Sequence, residues 1–98
     1  MIYLSDALAR DGHCLVHFCP GCGYRHRIDV YEPNPHTKAM WSWDGNLKSP
    51  TFTPSINIVG FCHYFIRNGQ IQYCADSAHA LAGQTVPLPP MPTDLQMV

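Results

Sequence analysis

The sequence predicts a mostly β fold, a small α+β domain of antiparallel hairpins with one short helix, and three observations lead there. Apolar and polar residues alternate through "HRIDVY" and through both halves of "CHYFIRNGQIQYC", the period of a half-buried strand. Asn68-Gly69, between those halves, is the strongest short-range signal for a tight type I′ hairpin turn. In "HFCPGCGYRH" two cysteines flank a Pro-Gly turn, which folds a further hairpin around a knuckle.

Taken in order, Ser5 can cap a short helical turn over Asp6 to Arg10, with Gly12 ending it. "CLVHF" is the strand into the knuckle and "HRIDVY" the strand out of it. "EPNPH" (32–36) is a loop, and "AMWSW" (39–43) a strand that ends at the turn residues Asp44-Gly45-Asn46. In "SPTFTPSINIV" (49–59) Pro50 and Pro54 confine the first half to an edge or an extended loop. The Asn68-Gly69 turn pairs Arg67 with Gln70, Phe65 with Gln72 and His63 with Cys74. "ADSAHALAG" is the predicted helix, with Asp76 or Ser77 at its N-cap and Gly83 after its end. Residues 1–86 then form a single domain, and 87–98 a proline-rich C-terminal tail.

Composition narrows the function classes. Hydrophobic residues make up 46% of the 98 residues and charged ones 13%, which is globular rather than disordered. Six Lys and Arg are scattered through a chain of net charge -1, so no basic stripe exists to neutralise phosphates and nucleic acid is not an expected partner. No apolar run approaches a membrane span, and the first twelve residues lack the pattern of a signal peptide. The expected location is the cytoplasm, where thiols stay reduced; five cysteines, an odd number, also argue against a disulfide framework.

In that setting a CxxC pair on a tight turn points to metal, and thiolate and imidazole are the ligands zinc prefers. Cys19 and Cys22 supply one pair. Some forty residues on, Cys62 and His63 offer the complementary pair, giving a predicted Zn2+ site of Cys19, Cys22, Cys62 and His63. Adjacent strand residues point to opposite faces, so either the strand bends after Gly60 or only one of the two is a ligand. Cys74, His26 and His79 stay open as alternatives for the fourth place. Cys14 is expected in the core, and His13, His17 and His36 are expected to face solvent.

"FCPGCGYRH", "WSWDGN", "PTFTPSI", "CHYFIRNGQIQ" and "DSAHALAGQTVPLP" resemble, in this order, a family of small phage- and prophage-encoded proteins, whose members often carry the label ammonia monooxygenase without biochemical basis. More distant relatives lie beside bacterial ubiquitin-like conjugation genes. The resemblance covers residues 18–90 and carries over onto Cys19, Cys22, His26, Trp41, Trp43, Cys62, His63, Asp76, His79 and Gln84. It implies a metal site and a phage–host setting in a bacterial host cytoplasm rather than a reaction. Relatives commonly have Cys where this chain has Ser77 and lack one where it has Cys74, which weakens a cysteine-nucleophile mechanism. Nothing resembles a copper or di-iron site.

Two function classes follow. In the favoured one, the zinc is structural and the chain is a phage or prophage accessory module that binds a host or phage protein through Trp41, Trp43, the PTFTPSI segment and Gln84. In the alternative, three protein ligands and a water make a zinc-dependent hydrolase, with His79 as fourth ligand or as a general base oriented by Asp76. His79 and Asp76 are the catalytic residues of that alternative.

Overall fold

A computed structural model describes residues 1–92. Nine strands occur among the described residues, in two antiparallel sheets. The first sheet is β1 (Ile2–Tyr3), β2 (Ala9–Asp11), β3 (Cys14–Cys19) and β4 (Tyr24–Asp29), in that spatial order. The second is β5 (Ser42–Trp43), β6 (Phe52–Ile58), β7 (Cys62–Arg67), β8 (Gln70–Tyr73) and β9 (Thr85–Pro87), again in chain order. No helix among the described residues is long and apolar enough to cross a membrane.

Strand alternation builds the core. From the first sheet, Leu15, Cys19 and Ile28 face inward; from the second, Phe52, Ile56, Cys62, Tyr64, Ile66, Ile71 and Tyr73 meet them in one buried cluster with Leu8. Trp41 and Trp43 pack half-buried against it. The outer face of the first sheet is covered too, because Met91 packs on Ala9 and Val16 and its N–H donates to the Asp6 carbonyl at 2.8 Å. The Asn68-Gly69 turn has the predicted form: φ is 50° and 73° at its two residues, the left-handed pair a type I′ turn needs. Its register pairs Arg67 with Gln70 and Phe65 with Gln72.

Mostly β is therefore right, and the short helix is wrong. Residues 75–83 form successive turns, and no helix occurs among the described residues. The backbone there is drawn into other bonds: the Ala78 N–H reaches the Phe61 carbonyl at 2.9 Å, and the Ser77 N–H reaches the Cys74 carbonyl at 3.1 Å. The expected helical turn at Asp6 to Arg10 is also absent. Ser5 does cap, accepting from the N–H groups of Ala7 and Leu8, but the chain turns straight into β2. "AMWSW" contributes only Ser42 and Trp43 to a strand. The proline-rich segment expected at 87–98 ends in residues 93–98, which lie outside the described residues.

His17 was expected at the surface and is fully buried. Its Nδ1 donates to the Phe18 carbonyl at 3.2 Å, which leaves Nε2 to accept from the Tyr64 hydroxyl at 2.8 Å. The same hydroxyl takes the Nδ1–H of His26 at 2.9 Å. His26 thus serves this network. Burial first, and then the charge of His26, pushes the His17 pKa down to about 3; burial, then the charge of His79, takes His26 to about 4. Both rings are neutral in the native protein at pH 7, while in the unfolded chain they titrate near 6.5. As pH falls below that value the unfolded state binds protons that the native rings refuse, so stability is full above it and declines toward the native values. The melting temperature should fall between about pH 7 and pH 5.5; a flat profile would contradict buried neutral rings.

Candidate functional site

The end of β3, the turn after it, the start of β7 and the 75–83 turns converge between the two sheets. Cys19, Cys22, Cys62 and His79 meet there, each offering one ligand atom, all within 4.8 Å of one another. The Cys19 and Cys62 sulfurs are 4.0 Å apart, and the Cys62 sulfur is 3.3 Å from His79 Nε2. A tetrahedral zinc with Zn–S bonds of about 2.3 Å places its sulfurs about 3.8 Å apart, so the cluster has the dimensions of a Cys3His site. All five cysteines are free thiols. Cys19 and Cys62 are fully buried, and burial, with Cys19 and Cys22 beside it, pushes the Cys62 thiol up. A divalent cation supplies the charge that would let such a group of thiols ionise together. These four residues can hold a metal ion.

The local sequence explains the cluster. The Gly23 N–H closes the knuckle onto the Cys19 carbonyl at 2.8 Å, and the Cys22 N–H points at the Cys19 sulfur at 3.3 Å. Tyr73 from β8 sets its hydroxyl 3.1 Å from that sulfur while accepting from the Gly21 N–H at 3.2 Å, an outer support of the kind that orients ligands. Gly21 is needed for a steric reason: a Cβ there would lie 2.3 to 2.6 Å from three atoms of the His79 ring. Gly21→Ala should therefore displace the fourth ligand and weaken metal binding by about tenfold or more, measured by competition with a chromophoric chelator. Unchanged affinity would mean that His79 is not a ligand.

His63, predicted as a ligand, stands apart from the three cysteines. Cys62 points inward from β7 to the cluster, and His63, the next residue, points to the outer face of the second sheet, as alternation requires. On that face its Nδ1 lies 3.2 Å from each carboxylate oxygen of Asp76, and its Nε2 lies 3.2 Å from Ser55 Oγ. A proton on Nδ1 donates to Asp76 and leaves Nε2 free to accept from the Ser55 hydroxyl. Asp76 and His79, expected as partners, serve different sites: the carboxylate faces His63 and the imidazole faces the thiols.

Three features hold this row in place. Between Phe52 and Ile56 the β6–β7 register shifts, so Ser55 sits where the ladder is irregular, and such irregularities re-aim side chains. The Trp41 indole N–H donates to the Ser55 carbonyl at 3.1 Å. Ser77 clamps the main chain of His63, its hydroxyl donating to the His63 carbonyl at 2.9 Å and accepting from the His63 N–H at 3.0 Å. That clamp delivers the neighbouring Asp76 to the imidazole. The row is open to solvent, with the Asp76 side chain 66% exposed and that of His63 27%.

Sequence reasoning did not find Ser55. It lies in no strand–Gly–x–Ser–x–Gly elbow, and a serine after a proline in an edge-like strand has no distinguishing signal. Cys74 lies close to His63 and Asp76 rather than at the Cys3His cluster.

No curated protein and no solved structure matches the chain. One family model does, over residues 1–74, which takes in Cys19, Cys22, Ser55, Cys62 and His63. The chain belongs to the family described as bacterial ubiquitination-like system serine protease, BubE.

Proposed function

We propose that this chain is a serine hydrolase cleaving an amide bond in a protein of a bacterial ubiquitination-like system, with zinc on Cys19, Cys22, Cys62 and His79 as a structural staple. The observation that carries the proposal is the row of Ser55 Oγ on His63 Nε2 and His63 Nδ1 on the Asp76 carboxylate, each contact 3.2 Å. It has the connectivity that activates a serine: nucleophile, base, and a carboxylate that fixes the tautomer of the base. The family's description as a serine protease agrees with that chemistry.

In this reading Ser55 Oγ attacks the carbonyl carbon of the scissile amide while His63 Nε2 takes its proton, and Asp76 stabilises the imidazolium. The tetrahedral adduct collapses as His63 gives that proton to the leaving amine. Water, activated in turn by His63, then hydrolyses the acyl ester on Ser55 and restores the hydroxyl. An exposed row on a sheet face suits a segment of a protein substrate better than an enclosed small molecule.

The metal-bound-water alternative loses its support, because four protein donors leave a tetrahedral ion no open position and because Asp76 does not face His79. A phage or prophage accessory role against a host or phage protein, in the cytoplasm of a bacterial host, is the setting we propose for the hydrolase; its support is the sequence resemblance. The test is p-nitrophenyl acetate, an activated ester any acylating serine can use: a burst of about one equivalent of p-nitrophenol per chain is the expected sign of an acyl-enzyme. Absence of both burst and turnover in the zinc-loaded protein would overturn the proposal.

A further inference from the structure

The outer face of the second sheet carries a donor group beyond the triad. Cys74 follows β8 and lies across from His63, its N–H donating to the His63 carbonyl at 2.8 Å. Ligand atoms of His63, Cys74 and Asp76 all lie within 4.8 Å of one another. The positions are set by the main chain rather than by chance approach of long side chains. Cys74 is tied to β7 on one side and accepts from the Ser77 N–H at 3.1 Å on the other, and Ser77 in turn clamps His63. Sulfur, imidazole nitrogen and carboxylate oxygen are a donor set that zinc takes readily, and three protein donors leave a fourth position for water.

We propose that His63, Cys74 and Asp76 form an inhibitory site for a thiophilic divalent cation, Zn2+ in the first place, distinct from the buried Cys3His site. That such binding inhibits rests on the reading of Ser55, His63 and Asp76 as a triad; that it binds does not. A neutral imidazole has one nitrogen that carries the proton and one with a lone pair. When the cation takes the lone pair of Nδ1, the ring proton must sit on Nε2, which then donates toward Ser55 and no longer accepts its proton. Asp76 is at the same time drawn from the imidazole to the metal. Binding moves the ring proton from Nδ1 to Nε2 through solvent and releases the Cys74 thiol proton; no electrons are transferred. With one sulfur instead of three and an exposed carboxylate, the site exchanges its ion more easily than the buried one. It would make the activity respond to free zinc while the fold does not.

The experiment titrates the full chain, already holding its first zinc equivalent, with Zn2+ in a metal buffer, reading bound zinc by chelator competition and the p-nitrophenyl acetate burst in parallel. A second, weaker equivalent is expected, with the burst rate falling as it fills and returning when a mild chelator removes it. Cys74→Ala should weaken the second equivalent by about tenfold or more, move the inhibition by the same factor and leave the burst of the one-zinc protein unchanged. Co2+ in the second position should show a sulfur-to-metal charge-transfer band that Cys74→Ala abolishes. The absence of a second equivalent, or inhibition at the same zinc concentration in Cys74→Ala, overturns the proposal. If the chain shows no burst at all, the triad reading fails, while the second equivalent and its cobalt band still decide whether the site exists.

Discussion

Ser55→Ala and His63→Ala should each lower hydrolysis by about 10⁴-fold or more, since members of a nucleophile–base unit lose nearly the whole effect when either is removed. Neither change should reduce the first, tightly bound zinc equivalent, because both side chains lie on the outer face, away from Cys19, Cys22, Cys62 and His79. The melting temperature should stay within a few degrees. Removing the His63 ring breaks a pair whose carboxylate is largely solvated, and such pairs contribute little to stability. His79→Ala should do the opposite, losing metal and stability together. A His63→Ala protein that came out metal-free would show that His63 belongs to the metal site after all.

Loss of the zinc proposed at Cys19, Cys22, Cys62 and His79 is the second large effect expected. Structural zinc binding in small domains is worth about 10–16 kcal/mol near neutral pH, comparable with or larger than the whole stability of an ordinary domain, about 5–15 kcal/mol. The ion would tie the end of β3 in one sheet to the start of β7 in the other and to the 75–83 turns, which otherwise share no strand pairing. Chelation strong enough to strip it, or Cys62→Ser, should therefore unfold the chain at room temperature, seen as loss of strand signal in far-UV circular dichroism. Activity should disappear with it, because the turns anchored by His79 also carry Asp76. A chelated protein with an unchanged melting temperature would contradict the structural role.

The two sites differ in how legible they were. Cys19, Cys22 and Cys62 could be read from the sequence as candidate donors because a CxxC turn with a distant thiol points to metal, and the structure brings the three together. The fourth member of the cluster could not be singled out among His63, Cys74, His26 and His79, although the rule that bears on it was in view. Alternation forbids Cys62 and His63 from sharing an ion, and the structure resolves this by giving His63 to the other face. The choice of His79 depends on a long-range approach over Gly21 that no local pattern encodes. Asp76 was recognised as a carboxylate able to orient a histidine, but the partner is His63, thirteen residues before it.

The helix expected in "ADSAHALAG" failed for a related reason. Asp, Ser and Gly are turn formers as much as caps, and here Ser77 bonds to the His63 main chain and His79 lies against the Cys62 sulfur, so tertiary partners outweighed local propensity. His17 was misplaced because β3 is covered on both faces, by the second sheet and by Met91, which removes the polar-out alternation that a surface reading assumes.

The proposed chemistry requires Ser55 to be a nucleophile activated by His63. A fluorophosphonate, which labels serines only when a neighbouring base makes them reactive, tests it directly when the modified peptide is located by mass spectrometry. About one adduct per chain is expected, on Ser55, present in the zinc-loaded protein and absent from His63→Ala. An unlabelled native protein, or an adduct on another residue, would contradict it.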